Sequence, residues 1–295
     1  MSLLSFTVFL VSVFSFFSFL RPAPAAYEPK EEGILLNAAV LTDLHIGPRN
    51  PILQHNINKA FRNASAAKDG LDALAILGDN TMDGMEQQYS LLYASLTAHS
   101  KAEHNIVVVG NHDLWGMGSY LNGKNRFISY YNQFTDSNID DIYYHKVING
   151  YHFIVLGTES DMHTTAHITN AQIGWLDARL AEATAGGRPA FVFHHFPVGR
   201  VLEPERLEAV LKAYPNVLYF YGHVHRALGA NTYTQAGDSL YYIDVPNFDG
   251  FSDDIFYYRG QGIQIEAYED RVLLRARDYI RGEWLPDYEY SVPLV

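Results

Sequence analysis

The sequence predicts an α/β protein with two sheets packed face to face and helices outside. Three observations carry that expectation: short apolar runs rich in β-branched residues recur up to Tyr221, stretches with helical spacing and capping residues separate them, and after His225 the pattern changes to alternating strands.

In order, the runs are Ile34 to Leu41, Ala73 to Leu77, Ile106 to Val109, Phe153 to Leu156, Ala190 to Phe193 and Val217 to Tyr221, which read as buried strands of an α/β sheet. After the first, Asn50-Pro51 opens a helix as cap and first-turn proline, with Ile52, Leu53, Ile57, Ala60, Phe61 and Ala64 on one face. Thr169 and Gln172 form a capping-box pattern for a helix from about Asn170, in which Ile173, Leu176 and Leu180 repeat at helical spacing before Gly186-Gly187. A third helix begins near Pro204. The late strands, Leu240 to Val245, Gly262 to Ala267 and Val272 to Ala276, suggest a second sheet. No internal repeat or low-complexity tract appears, and no linker beyond residues 21–32, so residues 27–295 read as one domain.

Composition narrows the function. With 295 residues, 48% apolar and 14% aromatic, the chain can bury a large core, which excludes general disorder. A formal net charge of −12 would repel a nucleic-acid backbone, so small phosphorylated substrates are the expected partners and nucleic acid is not. Residues 3–20 carry no charge and precede Arg21 and Pro-Ala-Pro-Ala-Ala, which reads as a signal peptide over residues 1–26 and a secreted, periplasmic or secretory-lumen location. No Lys or Arg precedes the apolar run, so an uncleaved anchor that brings the protein to a membrane is the alternative. There is no cysteine, so stability rests on the core and on any bound metal. Asn63-Ala64-Ser65 would be a glycosylation acceptor in a eukaryotic host.

The chemistry-bearing residues stand at the ends of the expected strands. Thr42-Asp43-Leu44-His45 follows the first, and on an extended chain side chains two apart point the same way, so Asp43 and His45 can grip one ion. Gly78-Asp79 follows the second, where Gly78 permits a sharp turn and the two oxygens of Asp79 can bridge two cations. Gly110-Asn111-His112-Asp113 ends the third with an amide oxygen, an imidazole and a carboxylate on one loop. His194-His195-Phe196-Pro197 and Gly222-His223-Val224-His225 end two later ones. Each motif alone is weak. Ligand-type residues terminating five strands of an α/β protein are not explained by packing, because the carboxyl ends of such strands are where ligands gather.

The order Asp-x-His, Gly-Asp, Gly-Asn-His-Asp, His-x-Pro and Gly-His-x-His, over residues 43–225, resembles the calcineurin-like metallophosphoesterase superfamily. That resemblance implies a four-layer αββα sandwich with the active site at the carboxyl ends of the strands. It implies two divalent ions, one held by Asp43, His45 and His225, the other by Asn111, His195 and His223, with Asp79 bridging. His195 is preferred to His194 because His195-Phe196-Pro197 fits the His-x-Pro pattern. Purple acid phosphatases fit poorly, having Gly where His45 stands and Tyr where Met82 stands. The Asp-x-His form is that of the phosphodiesterase branch.

The mixed carboxylate, amide and imidazole set suits Mn, Fe, Zn or Co. The implied reaction is phosphoester hydrolysis by a metal-activated hydroxide, leaning towards diesters, with a phosphomonoesterase as the alternative within the family and an inactive scaffold on the same fold as the alternative outside it. His112 is the expected acid for the leaving oxygen, as the matching residue is in the family, with Asp113 or Asp83 to orient it. Trp115, Tyr120 and His163 lie on expected loops, where they either line the pocket or simply pack; the His163/His167 spacing reads as plain loop.

Overall fold

The computed structural model describes residues 25–47, 50–115, 118–135, 137–249 and 260–295. All but the last two positions of the expected leader lie outside them. Among the described residues no helix is long and apolar enough to cross a membrane.

The strands in chain order are β1 (Leu36–Leu41), β2 (Ala73–Leu77), β3 (His104–Val108), β4 (Tyr144–Ile148), β5 (Tyr151–Val155), β6 (Ala190–Phe193), β7 (Val217–Tyr221), β8 (Tyr233–Ala236), β9 (Leu240–Asp244), β10 (Gln261–Ala267), β11 (Arg271–Asp278) and β12 (Glu283–Pro293). The helices are α1 (Pro51–Ala64), α2 (Glu86–His99), α3 (Asn111–Leu114), α4 (Tyr120–Phe134), α5 (Asn170–Thr184) and α6 (Pro204–Lys212).

Two mixed six-stranded sheets result, ordered β12-β11-β10-β1-β2-β3 and β4-β5-β6-β7-β9-β8. β1, β2 and β3 run parallel, as do β5, β6, β7 and β9, while the remaining neighbours pair antiparallel. The late strands do not form a sheet of their own, as the sequence suggested. β9 completes the second sheet beside β7, whereas β10 returns to pair with β1 in the first, Val40 opposite Ile263. Alternation in a strand shows which face is buried but not which partner buries it.

The central strands are apolar on both faces because both are covered. Phe153, Phe191, Phe193 and Phe220 point into the core shared with the first sheet, while Ile154, Val192, Val217 and Tyr219 face Leu176, Leu180, Leu207 and Leu211 of α5 and α6. The inward rings stack across strands, Phe193 lying 5.4 Å from Phe153 and 5.1 Å from Phe220. On the other side, α1 and α2 bury Leu53, Ile57, Phe61, Leu92 and Leu96 against the first sheet. Each such side chain contributes about 1.5–3 kcal/mol by leaving water. The order of layers is therefore helix, sheet, sheet, helix.

Local expectations met mixed outcomes. Asn50 caps α1 by accepting from the Leu53 N–H at 2.9 Å, with Pro51 at the first helical position, but Ile52 is 63% exposed and not on the buried face. Thr169 caps α5, yet Gln172 does not reach back to it. The Gln172 amide instead clamps the N–H and C=O of Gly157, and Glu159 accepts from the Thr169 N–H. Asn63 is buried and donates to the carbonyls of Tyr279 and Ile280, so its amide serves the fold and is closed to a glycan in the folded protein.

Candidate metal centre

The parallel strands of both sheets end at one place. Asp43 and His45 follow β1, Asp79 follows β2, Asn111 begins α3 after β3, His195 follows β6, and His223 and His225 follow β7. Five of these seven residues have left-handed backbone: Asp43 (φ 55°), His45 (45°), Asp79 (47°), His223 (69°) and His225 (51°). Non-glycine residues rarely adopt that conformation, and clusters of it mark functional sites. The two-residue spacing of Asp43 and His45 thus works for a different reason from the one expected, and His223 and His225 repeat the arrangement. The pairs are not on extended chain; left-handed turns past the strand ends bring both members inward.

Two groups of ligand atoms converge, each within 4.8 Å: Asp43, His45, Asp79 and His225 in one, and Asp79, His195 and His223 in the other. In the first, His225 Nε2 lies 3.2 Å from Asp43 Oδ1 and 3.2 Å from His45 Nε2. In the second, His195 Nε2 lies 3.2 Å from Asp79 Oδ2. Asp79 belongs to both. Asn111 adds an amide oxygen that is buried and, among the described residues, has no hydrogen-bond partner.

Asp43, Asp79 and His195 are each aimed by a bond from the other end. Asp43 Oδ2 accepts from the Thr42 hydroxyl and the His223 N–H, which leaves Oδ1 to the cluster. Asp79 Oδ1 accepts from the His112 N–H, leaving Oδ2. His195 Nδ1 is 2.8 Å from the Leu77 carbonyl, and because a carbonyl only accepts, Nδ1 carries the proton and Nε2 faces Asp79. His194, one residue earlier, turns away from the site, where its Nδ1 lies 2.8 Å from the Tyr219 hydroxyl.

Charge follows from this geometry. Burial opposes the ionised form of Asp43, but His225 and His195 outweigh it, and for Asp79 the charge and hydrogen bond of His195 do the same, so both carboxylates titrate below their ordinary range. Burial would lower His195, yet Asp79 and Asp43 lift it to about 9. His223 is pushed down to about 4, by burial first and by His195 second. Fixed carboxylate charge, a buried amide oxygen and convergent imidazole nitrogens fit a pair of divalent cations.

His112 is oriented neither by Asp113 nor by Asp83. Its Nδ1 lies 2.7 Å from the carbonyl of Met82, so Nδ1 donates and Nε2 is left out of that bond. Asp113 is fully buried and accepts from Asn80 N and Nδ2, Thr81 N and Oγ1, and Gly110 N, clamping the loop after β2 to the loop after β3. Asp83 engages Gln88 instead. Gly110 lets these loops touch, since a Cβ there would overlap the main chain and carboxylate of Asp79.

Trp115 follows α3 with its ring 3.8 Å from that of His112, and His163 lies 4.4 Å beyond it. Tyr120 opens α4 rather than lying on a loop. His163 and His167 sit on irregular chain, as expected. Asp249 was missed by the sequence reading: it is buried, accepts from Asn247 at 3.0 Å and lies 3.9 Å from His225 Nδ1. No motif surrounds it that could have pointed to it.

A sequence model of the family described as calcineurin-like phosphoesterase matches residues 36–227. None of the curated proteins matches the chain. Among solved structures, a dimetal phosphatase of Danio rerio superposes with a TM-score of 0.63 at 14% identity, covering 89% of this chain and 100% of that one. A purple acid phosphatase from yellow lupin (Lupinus luteus) seeds does so with a TM-score of 0.61 at 14% identity, covering 88% of this chain and 53% of that one. At such identity the likeness is one of fold.

Proposed function

This chain belongs to the calcineurin-like phosphoesterase family, and on that premise we propose that it hydrolyses phosphoesters of small molecules at a two-ion site, with diesters preferred to monoesters. The observation that carries the reading is the single carboxylate, Asp79, shared by two convergent ligand groups. Asp43, His45 and His225 would hold one divalent ion, Asn111, His195 and His223 the other, and Asp79 both. When bound, such ions activate water and neutralise phosphoryl charge.

The residues of the chain supply the rest. The Leu77 carbonyl fixes the His195 ring so that its Nε2 faces inward. The Met82 carbonyl fixes His112, whose Nε2 can hold a proton for the departing oxygen. Burial of Asp43, Asp79 and His195 keeps bulk water from screening these charges. The Asp-x-His form of the first motif favours diesters, while the fold likeness to two phosphatases is why monoesters must be compared.

The test is hydrolysis of bis-p-nitrophenyl phosphate and p-nitrophenyl phosphate by the Mn²⁺-reconstituted protein. Faster turnover of the diester is expected. Activity confined to the monoester would reverse the preference, and a protein that binds no metal and shows only background turnover, unchanged by Asp79→Ala, would be a scaffold. We further propose export of the protein through its apolar leader, which detection of mature protein beginning near residue 27 outside the cytoplasm would test.

A further inference from the structure

A row of rings runs outward from the ligand cluster. His45 meets His112 edge-on at 4.7 Å between centroids, Trp115 lies against His112 at 3.8 Å, and His163 lies against Trp115 at 4.4 Å. His45 and His112 have parts in the proposed reaction; Trp115 and His163 have none. His163 is exposed, and its neighbour Met162 is 41% exposed, so the outer end of the row faces solvent.

The loop that presents His163 is tied down on both flanks. Gln172 clamps Gly157 through two hydrogen bonds of 2.9 and 3.0 Å, and Glu159 accepts from Thr169 and Gln172. The N–H of Glu159 donates to the His167 carbonyl at 2.8 Å, and the N–H of Ala166 to the Arg200 carbonyl at 2.7 Å. An exposed ring is thereby held beside an indole by a braced segment.

The direction of the leaving group follows from His112. Its Nδ1 is committed to Met82, so in the proposed reaction a departing oxygen would approach Nε2, and what that oxygen carries would lie near the outer ring packed on His112. That ring is Trp115, with His163 beyond. A flat π surface gains more from a flat ring than from a saturated group of equal bulk, because ring faces and edges match in charge distribution and make closer contact.

We propose that Trp115 and His163 form the leaving-group subsite, selecting phosphoesters whose alcohol carries a planar aromatic or heteroaromatic ring next to the ester oxygen. The subsite rests on the hydrolase reading above, and the experiment separates the two.

Full-length, Mn²⁺-reconstituted protein is assayed on dibenzyl phosphate and bis(cyclohexylmethyl) phosphate, which share charge and differ in ring planarity. The expected result is a kcat/KM ratio of roughly five- to tenfold in favour of the benzyl ester. Trp115→Leu and His163→Leu should each bring the ratio toward one, and Trp115→Phe should keep most of it. A wild-type ratio near one, or a ratio that survives both leucine variants, overturns the subsite while leaving the hydrolase reading intact. Equal loss on both esters in Trp115→Leu, with the ratio preserved, would make Trp115 a positioning residue for His112 and overturn it too.

Binding of benzylphosphonate against cyclohexylmethylphosphonate, neither of which has an ester to cleave, supplies the second readout. No hydrolysis of either ester, but tighter binding of benzylphosphonate that His163→Leu abolishes, would remove the hydrolase reading and keep the subsite. Neither hydrolysis nor discrimination removes both. His163 is exposed, so its substitution leaves the core untouched.

Discussion

Asp79 and His112 are joined through the main chain: the His112 N–H donates to Asp79 Oδ1 at 2.9 Å, while Oδ2 of the same carboxylate faces His195 at 3.2 Å. One side chain therefore ties the ligand cluster to the residue proposed to protonate a leaving oxygen. A shift of Asp79 moves both.

Asp79→Asn preserves shape and the bond to His112 but removes the charge shared by the two ligand groups. Bound metal after reconstitution should fall below two equivalents, and kcat should drop by at least roughly 10²- to 10³-fold. Elemental analysis paired with kinetics checks this; full metal content with full activity would exclude a bridging role.

Metal removal should destabilise the fold, because the ligands come from both sheets. At free metal a hundred times Kd, binding contributes about 2.7 kcal/mol, which at this chain length raises Tm by several degrees. Calorimetry of the chelator-treated and Mn²⁺-loaded protein compares them, and superimposable melting curves would contradict the assignment.

His112→Gln leaves the candidate ligands in place and removes the proposed proton donor. Metal content should be retained while kcat falls by about 10²- to 10⁴-fold on alkyl esters. The loss should shrink on nitrophenyl esters, whose leaving oxygen needs little protonation. An equal loss on both would point to a role other than acid.

Asp113→Asn tests the clamp between the two loops. One amide oxygen cannot serve the five donors that now point at Asp113, and stranded buried donors cost about 1–3 kcal/mol each, so stability should fall by at least about 2 kcal/mol. Metal affinity should weaken by about 10- to 100-fold as the loops loosen. Urea denaturation and metal titration measure these effects; wild-type values in both would show that the clamp is dispensable.

His194 supplies a pH dependence. Burial first, and the neighbouring His195 second, hold its pKa down at about 3, so on acidification the unfolded chain takes up this proton before the folded one. The stability contributed by neutral His194 is complete above about pH 6.5 and is lost as pH falls toward 3. In urea unfolding of metal-free protein between pH 6.5 and 4.5, wild type should lose more stability than His194→Gln, by up to about 1.4 kcal/mol per pH unit. Parallel losses would mean that His194 does not carry the effect.

Much of this architecture was legible in the sequence, and the exceptions have physical causes. β2, β6 and β7 end where their apolar runs end because parallel strands buried on both faces leave no polar residue to blur the boundary. β12 was missed because an edge strand with most residues exposed, interrupted by Pro286, has no apolar signal. α2 was missed because its buried face includes Gln88, Tyr89, Tyr93 and Ser95, which do not read as a core stripe. At the site, the ligand-type residues could be identified, but their supports could not. The Met82 and Leu77 carbonyls leave no trace in residue identity, and the task of Asp113 depends on contact between loops more than 30 residues apart.

The return of β10 to pair with β1 has a consequence for the order of synthesis. A nascent chain that has passed His225 carries all seven candidate ligand residues, yet β1, the strand that leads into Asp43, still lacks its partner on one side until residues 261–267 emerge. The centre is therefore encoded early and assembled late. A chain stopped between these two points would carry every candidate ligand without the strand that pairs with β1 ahead of Asp43.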